Sequence, residues 1–231
     1  MGLPKAIKAH KANDLVVAEK EYERAFVQNV QTPVLYQNYG ALLVKLAKPE
    51  KAEQVYQRGL KLFPRNHQVL RNYANFLRRT RPSSSIHFYI ECIKEVCSDE
   101  KAFSLKLYQT LIVDLTGVLY SVNLDHWAYS ILRDVIRSCG VTATLLKNLI
   151  IVSERLGHFL HEHSFHLTSN LLMQVVNEEC SAVDQITLYF SFAAHYHHAY
   201  DNKLALSHYD KGIQIFKSSL VSLDAEQREV A

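Results

Sequence analysis

Apolar residues recur at steps of three and four along most of the chain, the spacing that keeps side chains on one face of a helix. A longer period lies over that pattern. Ala18, Tyr22 and Ala25 in AEKEYERA stand at steps of four and three, and 34 residues later Ala52, Tyr56 and Gly59 in AEQVYQRG repeat them. Small residues at both ends let two helices approach closely while the aromatic ring fills the groove between them. Tyr36, Tyr39, Gly40 and Leu43 supply large, large, small and large residues ahead of the second triplet, and Pro64 closes it by removing a backbone donor. Residues 33–66 thus read as one complete helical hairpin in an array.

A further step of 34 carries Asn38-Tyr39-Gly40 onto Asn72-Tyr73-Ala74 and Leu43 onto Leu77. Ile86, Ile90 and Ile93 are expected at the second-helix places of this third unit, after a loop from Thr80 to Ser85. Near the C-terminus ALSHYDKGIQIF repeats AEQVYQRGLKLF with Ala205, Tyr209 and Gly212, preceded by Tyr189, Phe192, Ala193 and Tyr196. Between them the periodicity predicts helices over 101–120, 124–138, 142–157 and 159–178. The expectation is an all-α, right-handed superhelical solenoid of about six antiparallel hairpins, with helix far above the roughly 30–35% of an average domain. Its predicted divisions are 1–100 for three repeats, 101–180 for two diverged hairpins, 181–217 for a last repeat and 218–231 for a tail or short capping helix. Lys48-Pro49, Arg81-Pro82, Ser138-Cys139-Gly140 and Asp201-Asn202 punctuate the helices. Neither end shows a polar cap, which leaves open a longer array or a homodimer through a solenoid end.

Residues 5–98, and again 186–217, resemble the tetratricopeptide repeat (TPR) family. The phrases LVVAEKEYERAF, VLYQNYGALL and AEQVYQRGLKLFP are similar to bacterial TPR arrays associated with O-GlcNAc-transferase or SPINDLY-type glycosyltransferases. No Gly-rich nucleotide loop of such an enzyme occurs in the chain. NYANFLRR resembles the half-a-TPR repeats of RNA-processing factors, although the Trp and Glu of that pattern are not in register. The TPR resemblance implies a non-catalytic scaffold that grips a protein or an extended peptide in a concave groove. The two other likenesses imply a substrate-recognition region or partner of a glycosyltransferase, or an RNA-processing factor of half-a-TPR type.

Composition narrows the picture. Seven glycines and five prolines in 231 residues leave few tight turns. The formal charge of +3 is too small for a dedicated nucleic-acid binder. Yet residues 1–100 carry 16 Lys/Arg against 10 Asp/Glu, while the remainder carries 10 against 13, so the basic first half points either to an acidic partner or to a merely solvated surface. Cys92, Cys97, Cys139 and Cys180 show no Cys-x-x-Cys spacing and read as buried thiols of a reducing compartment. No apolar run approaches the roughly 18 residues of a membrane span. A cytoplasmic protein without membrane contact is expected.

Candidate chemistry is sparse. His158, Glu162 and His166 would share one helical stripe, with His161 and His163 beside it. HEHSFH departs from His-Glu-x-x-His, and no metal site is predicted. His195, His197, His198 and His208 read as packing residues of the last hairpin. No nucleophile elbow, dinucleotide turn or phosphate loop occurs, so no catalytic residue and no cofactor are predicted. The tyrosines of the repeats read as core. Asn38 and Asn72 occupy the same first-helix place in consecutive repeats, and Asn148 stands in a comparable context. Asparagine is a poor interior helix residue, so its recurrence needs compensation. An amide offers donor and acceptor together, which suits a peptide backbone, and the TPR resemblance implies that this place faces the groove. Bonding to a neighbouring helix is the competing account. Lys45, Arg71, Arg78 and Arg79 complete the predicted peptide site, with Lys106 and Lys147 near it.

Overall fold

In a computed structural model, residues 2–101, 103–156, 171, 181–198 and 201–229 are described, and every regular element among them is an α-helix. They fall into two units, 1–122 and 123–231. The first unit holds α1 (Gly2–Lys11), α2 (Leu15–Val27), α3 (Pro33–Lys45), α4 (Pro49–Leu62), α5 (His67–Thr80), α6 (Pro82–Ser98) and α7 (Leu105–Ser121). Within it α1 packs on α2, α3 on α4, α5 on α6, and α7 against α6. Connections of only a few residues force each packed pair to run antiparallel. In the second unit α8 (Asp125–Cys139) packs on α9 (Ala143–Leu156), α9 on α10 (Ala182–His198), and α10 on α11 (Asn202–Glu229).

Short chemical signals set the helix ends. Asp14 and Asn66 cap α2 and α5 by accepting from the Val17 and Val69 amides at 3.2 and 3.0 Å. Pro33, Pro49 and Pro82 occupy the first turns of α3, α4 and α6, where a missing N–H costs nothing. After α1, α2 and α3 the chain passes through left-handed residues, Asn13, Asn29 and Ala47. The next amide then reaches back to a carbonyl five residues earlier, as Lys48 N–H does to Leu43 at 2.9 Å.

The core of the first unit is built from the repeating triplets. Ala18, Tyr22 and Ala25 on α2, and Ala52, Tyr56 and Gly59 on α4, are all buried. Two glycines make the α3/α4 contact reciprocal. A Cβ at Gly40 on α3 would collide with the Tyr56 ring, and one at Gly59 on α4 would stand 2.7 Å from the Tyr36 Cβ. Aromatic contacts tie successive pairs together, with Tyr22 stacked on Tyr39 at 5.8 Å and Tyr56 against Tyr73 at 5.8 Å. Lys48 pairs with Glu19, Lys51 with Glu23 and Arg81 with Glu53, so the acids of one second helix meet bases at the start of the next.

The third pair differs from its predicted register. No loop separates Thr80 from Ser85, because α6 starts at Pro82. Ser85, Tyr89 and Cys92, rather than Ile86, Ile90 and Ile93, take the small, aromatic and small places, and Ile90 is 36% exposed. This repeat is 33 residues long, and the polar atoms at its small, aromatic and small places are bonded locally. Ser85 donates to the Pro82 carbonyl at 2.7 Å, Tyr89 to Asn75 Oδ1 at 2.6 Å and Cys92 to the His67 carbonyl at 3.2 Å.

In the second unit Ala205 and Gly212 on α11 are buried as the repeat predicts, but Tyr209 is only half-buried, against Phe190. The inner place belongs to His208, stacked on Tyr196 at 5.0 Å and packed on Tyr189 and Phe192. Of the cysteines expected to be buried, Cys92 is buried, Cys139 half-buried and Cys97 exposed at the end of α6. The His158, His161, His163 and His166 cluster lies outside the described residues, as does Cys180. Among the described residues no helix is long and apolar enough to cross a membrane.

Candidate functional site

The first helices α3, α5 and α7 line a polar depression on the first unit. It consists of two adjoining hollows of about 390 and 370 Å³ that share Arg71, Asn72 and Asn75. Gln37 and Asn38 from α3, His67 and Gln68 from α5 and Leu107 from α7 complete one of them. Ala41, Val44, Tyr56, Phe76, Arg78, Arg79 and Asp114 complete the other. On α5, steps of three, four and seven put Asn72, Asn75 and Arg79 on one side, and Arg71 and Arg78 beside them. The apolar stripe of Val69, Leu70, Tyr73, Ala74, Phe76 and Leu77 is buried in the core.

Asn38 and Asn72, predicted from their common place in the repeat, both line the same hollow. The Asn72 amide donates to the Gln68 carbonyl at 2.9 Å, one turn earlier on its own helix, which holds the side chain and leaves its oxygen to accept. That bond supplies part of the compensation an interior asparagine needs. Burial pushes the Tyr22 phenol up to about 12, and the Asn38 side chain facing it pulls the other way. The Tyr22 hydroxyl nevertheless closes no hydrogen bond of full geometry, so the Asn38 contact is a loose one.

Arg71, Arg78 and Arg79 line the depression as well, and they are accompanied by an acid that sequence reasoning missed. Asp114 on α7 accepts from Arg71 Nη2 at 3.2 Å and from Arg78 Nη1 at 3.4 Å. Burial and then the Asp114 carboxylate push the neighbouring Tyr89 phenol up to about 12, while Arg78 and Arg71 pull it down. Asn75 was also missed. Its position three residues after Asn72 was the available signal, since a helix puts the two on one face. Asp114 had a weaker one, seven residues after Leu107 on the same stripe of α7.

Two predicted residues stand elsewhere. Lys45 donates to Asn13 Oδ1 at 2.7 Å and braces the turn between α1 and α2. Asn148 is half-buried on α9, in the second unit, and lines neither hollow.

Comparison with known proteins fits this architecture. Residues 33–76, which span α3, α4 and most of α5, match the tetratricopeptide repeat family model. No curated protein matches the sequence. Among solved structures, pilF of Pseudomonas aeruginosa is similar in fold with a TM-score of 0.65 at 13% identity, over 99% of this chain and 95% of that one. BtubC from P. vanneervenii gives a TM-score of 0.66 at 17% identity, over 90% and 91% of the two chains. YrrB, a TPR protein with an unusual peptide-binding site, gives 0.59 at 14% identity, over 89% and 97%. The chain is therefore an all-α protein of TPR-like helical-repeat fold, with one repeat matched in sequence over residues 33–76 and a fold similar to that of these solved structures.

Proposed function

We propose that this scaffold binds an extended peptide segment of a partner protein, non-catalytically, along the depression lined by α3, α5 and α7. The observation that carries the reading is the convergence of Asn38 and Asn72, one repeat apart, on one hollow that also holds Asn75 and Arg71. Amides there can accept from and donate to a peptide backbone whatever its side chains, while the arginines favour acidic residues. Small-molecule pockets are mostly apolar, whereas this depression is open and predominantly polar. YrrB, of like fold, is a TPR protein with a peptide-binding site, which supports a peptide as the ligand class here.

The test is a peptide-array screen with the intact protein, followed by calorimetry of the best binder. Asn38→Ala combined with Asn72→Ala should weaken that binder about five- to a hundredfold, at roughly 0.5–1.5 kcal/mol for each lost bond. A folded double variant with unchanged affinity would remove the amides from the reading. RNA binding that falls steeply with salt and needs Arg78 and Arg79 would redirect it to nucleic acid.

A further inference from the structure

We infer that Asp114 is a built-in competitor for an acidic ligand: a carboxylate of this chain that occupies Arg71 and Arg78 until a ligand carboxylate takes them. The inference rests on the peptide reading above and names the charge of the side chain received there. Arg71 and Arg78 are seven residues apart on α5, so both guanidinium groups reach one carboxylate on α7. Each gives it a single N–H, at 3.2 and 3.4 Å. Charge-assisted bonds usually close to about 2.7–2.9 Å, and arginine typically grips a carboxylate with two parallel bonds. The internal pair is thus loose and monodentate. Arg71 Nε is buried with no partner among the described residues, leaving a donor for which they supply no acceptor. Arg79 lines the same hollow and pairs with no acid among the described residues. Three guanidinium groups therefore face one carboxylate. An incoming Asp or Glu could bond them more closely than Asp114 does, once Asp114 yields its share.

The competing account makes Asp114 an organiser that holds the arginines in binding position. The two accounts predict opposite signs for Asp114→Asn, which keeps the shape and removes the charge. Two fluorescein-labelled eight-residue peptides serve as probes, one alternating Glu and Ser, the other with Gln for every Glu. Anisotropy with the full chain measures both. Asp114→Asn should tighten the Glu peptide roughly five- to thirtyfold at low salt, from loss of one nearby like charge. The gain should shrink as salt is raised. The Gln peptide should change by less than about twofold, because no charge competition applies to it. Weaker Glu-peptide binding, or equal tightening of both probes, would overturn the inference. So would a Glu peptide that binds neither protein at millimolar concentration. Asp114→Ser, with melting monitored for each variant, provides a second carboxylate-free form if Asn at this place perturbs folding. Arg79→Gln and Asn72→Ala separate the two levels. If neither variant weakens the Glu peptide, the groove reading itself fails. If both weaken it and Asp114→Asn does not tighten it, only the competitor role fails.

Discussion

The Tyr56 ring on α4 fills the space in which a Cβ at Gly40 on α3 would stand. An aromatic ring clamped between helices cannot move aside as the end of a flexible side chain would. Gly40→Ala is therefore expected to destabilise the protein by about 1–3 kcal/mol through overpacking, despite the better helix propensity of alanine. Gly117 on α7 is the control, because a Cβ there meets nothing within 4 Å. Gly117→Ala should stabilise by roughly 0.5–1 kcal/mol. Urea unfolding of both variants reads the difference in sign.

Ala47 is the one left-handed residue in these turns that is neither glycine nor asparagine, with φ of 55°. A left-handed alanine costs about 1–2 kcal/mol, and glycine avoids this while losing some of the gain to its freer unfolded state. Ala47→Gly is expected to stabilise by roughly 0.5–1 kcal/mol, whereas Ala47→Val should destabilise. A shift of the urea midpoint at constant slope checks both.

The register of α6 can be tested by paired truncations. Tyr89 is fully buried and bonded to Asn75, whereas Ile90 is exposed. Tyr89→Ala should cost about 3–5 kcal/mol and Ile90→Ala less than about 1 kcal/mol. Equal costs would restore the isoleucines to the core.

His208 has a pKa lowered from its ordinary 6.5, first by burial and then by the Lys211 charge. Its neutral form is thus favoured by folding. The unfolded chain takes up a proton as pH falls below about 6.5, and the folded chain resists, so stability should decline from there downward. His10, lowered by burial and then by Lys45, acts in the same direction. Melting temperatures between pH 7.5 and 5.5 should fall less in His208→Phe than in the unchanged protein. An equal fall in both would assign the effect to other groups.

The α3/α4 pair was legible because its small and aromatic residues recur at 34 and because Pro33 and Pro49 mark both helix starts. The α6 register was not, because its repeat is one residue shorter and uses Ser85 and Cys92 where Ala and Gly stand elsewhere. Ser85 reads as the end of a loop until its local partner is seen. Asn38 and Asn72 shared a place in the repeat, and that periodicity found them. Asp114 lies in α7, which repeats none of the signature, and its meeting with α5 depends on packing between helices far apart in the chain. The lysine at 45 misled for the opposite reason. Its first-helix position suggested the groove, but a long side chain reached a polar turn nearer at hand.

The ion pairs between second helices give the three pairs different ends. Exposed bridges of this kind contribute little stability, about 0–1 kcal/mol each, but they discriminate between neighbours by sign. The α1/α2 pair offers the acid Glu19 forward but has Asp14 where a matching lysine would stand. The α3/α4 pair carries Lys48 at its start and Glu53 within it, and joins on both sides. The α5/α6 pair answers with Arg81 but has Ile86 at the place of the next acid, and the series stops. Three hairpins of one design thus carry three different sets of pairing residues, an acid forward, a link on both sides and a base behind. Only the middle one could be copied in tandem with this ion pair re-formed at every new junction.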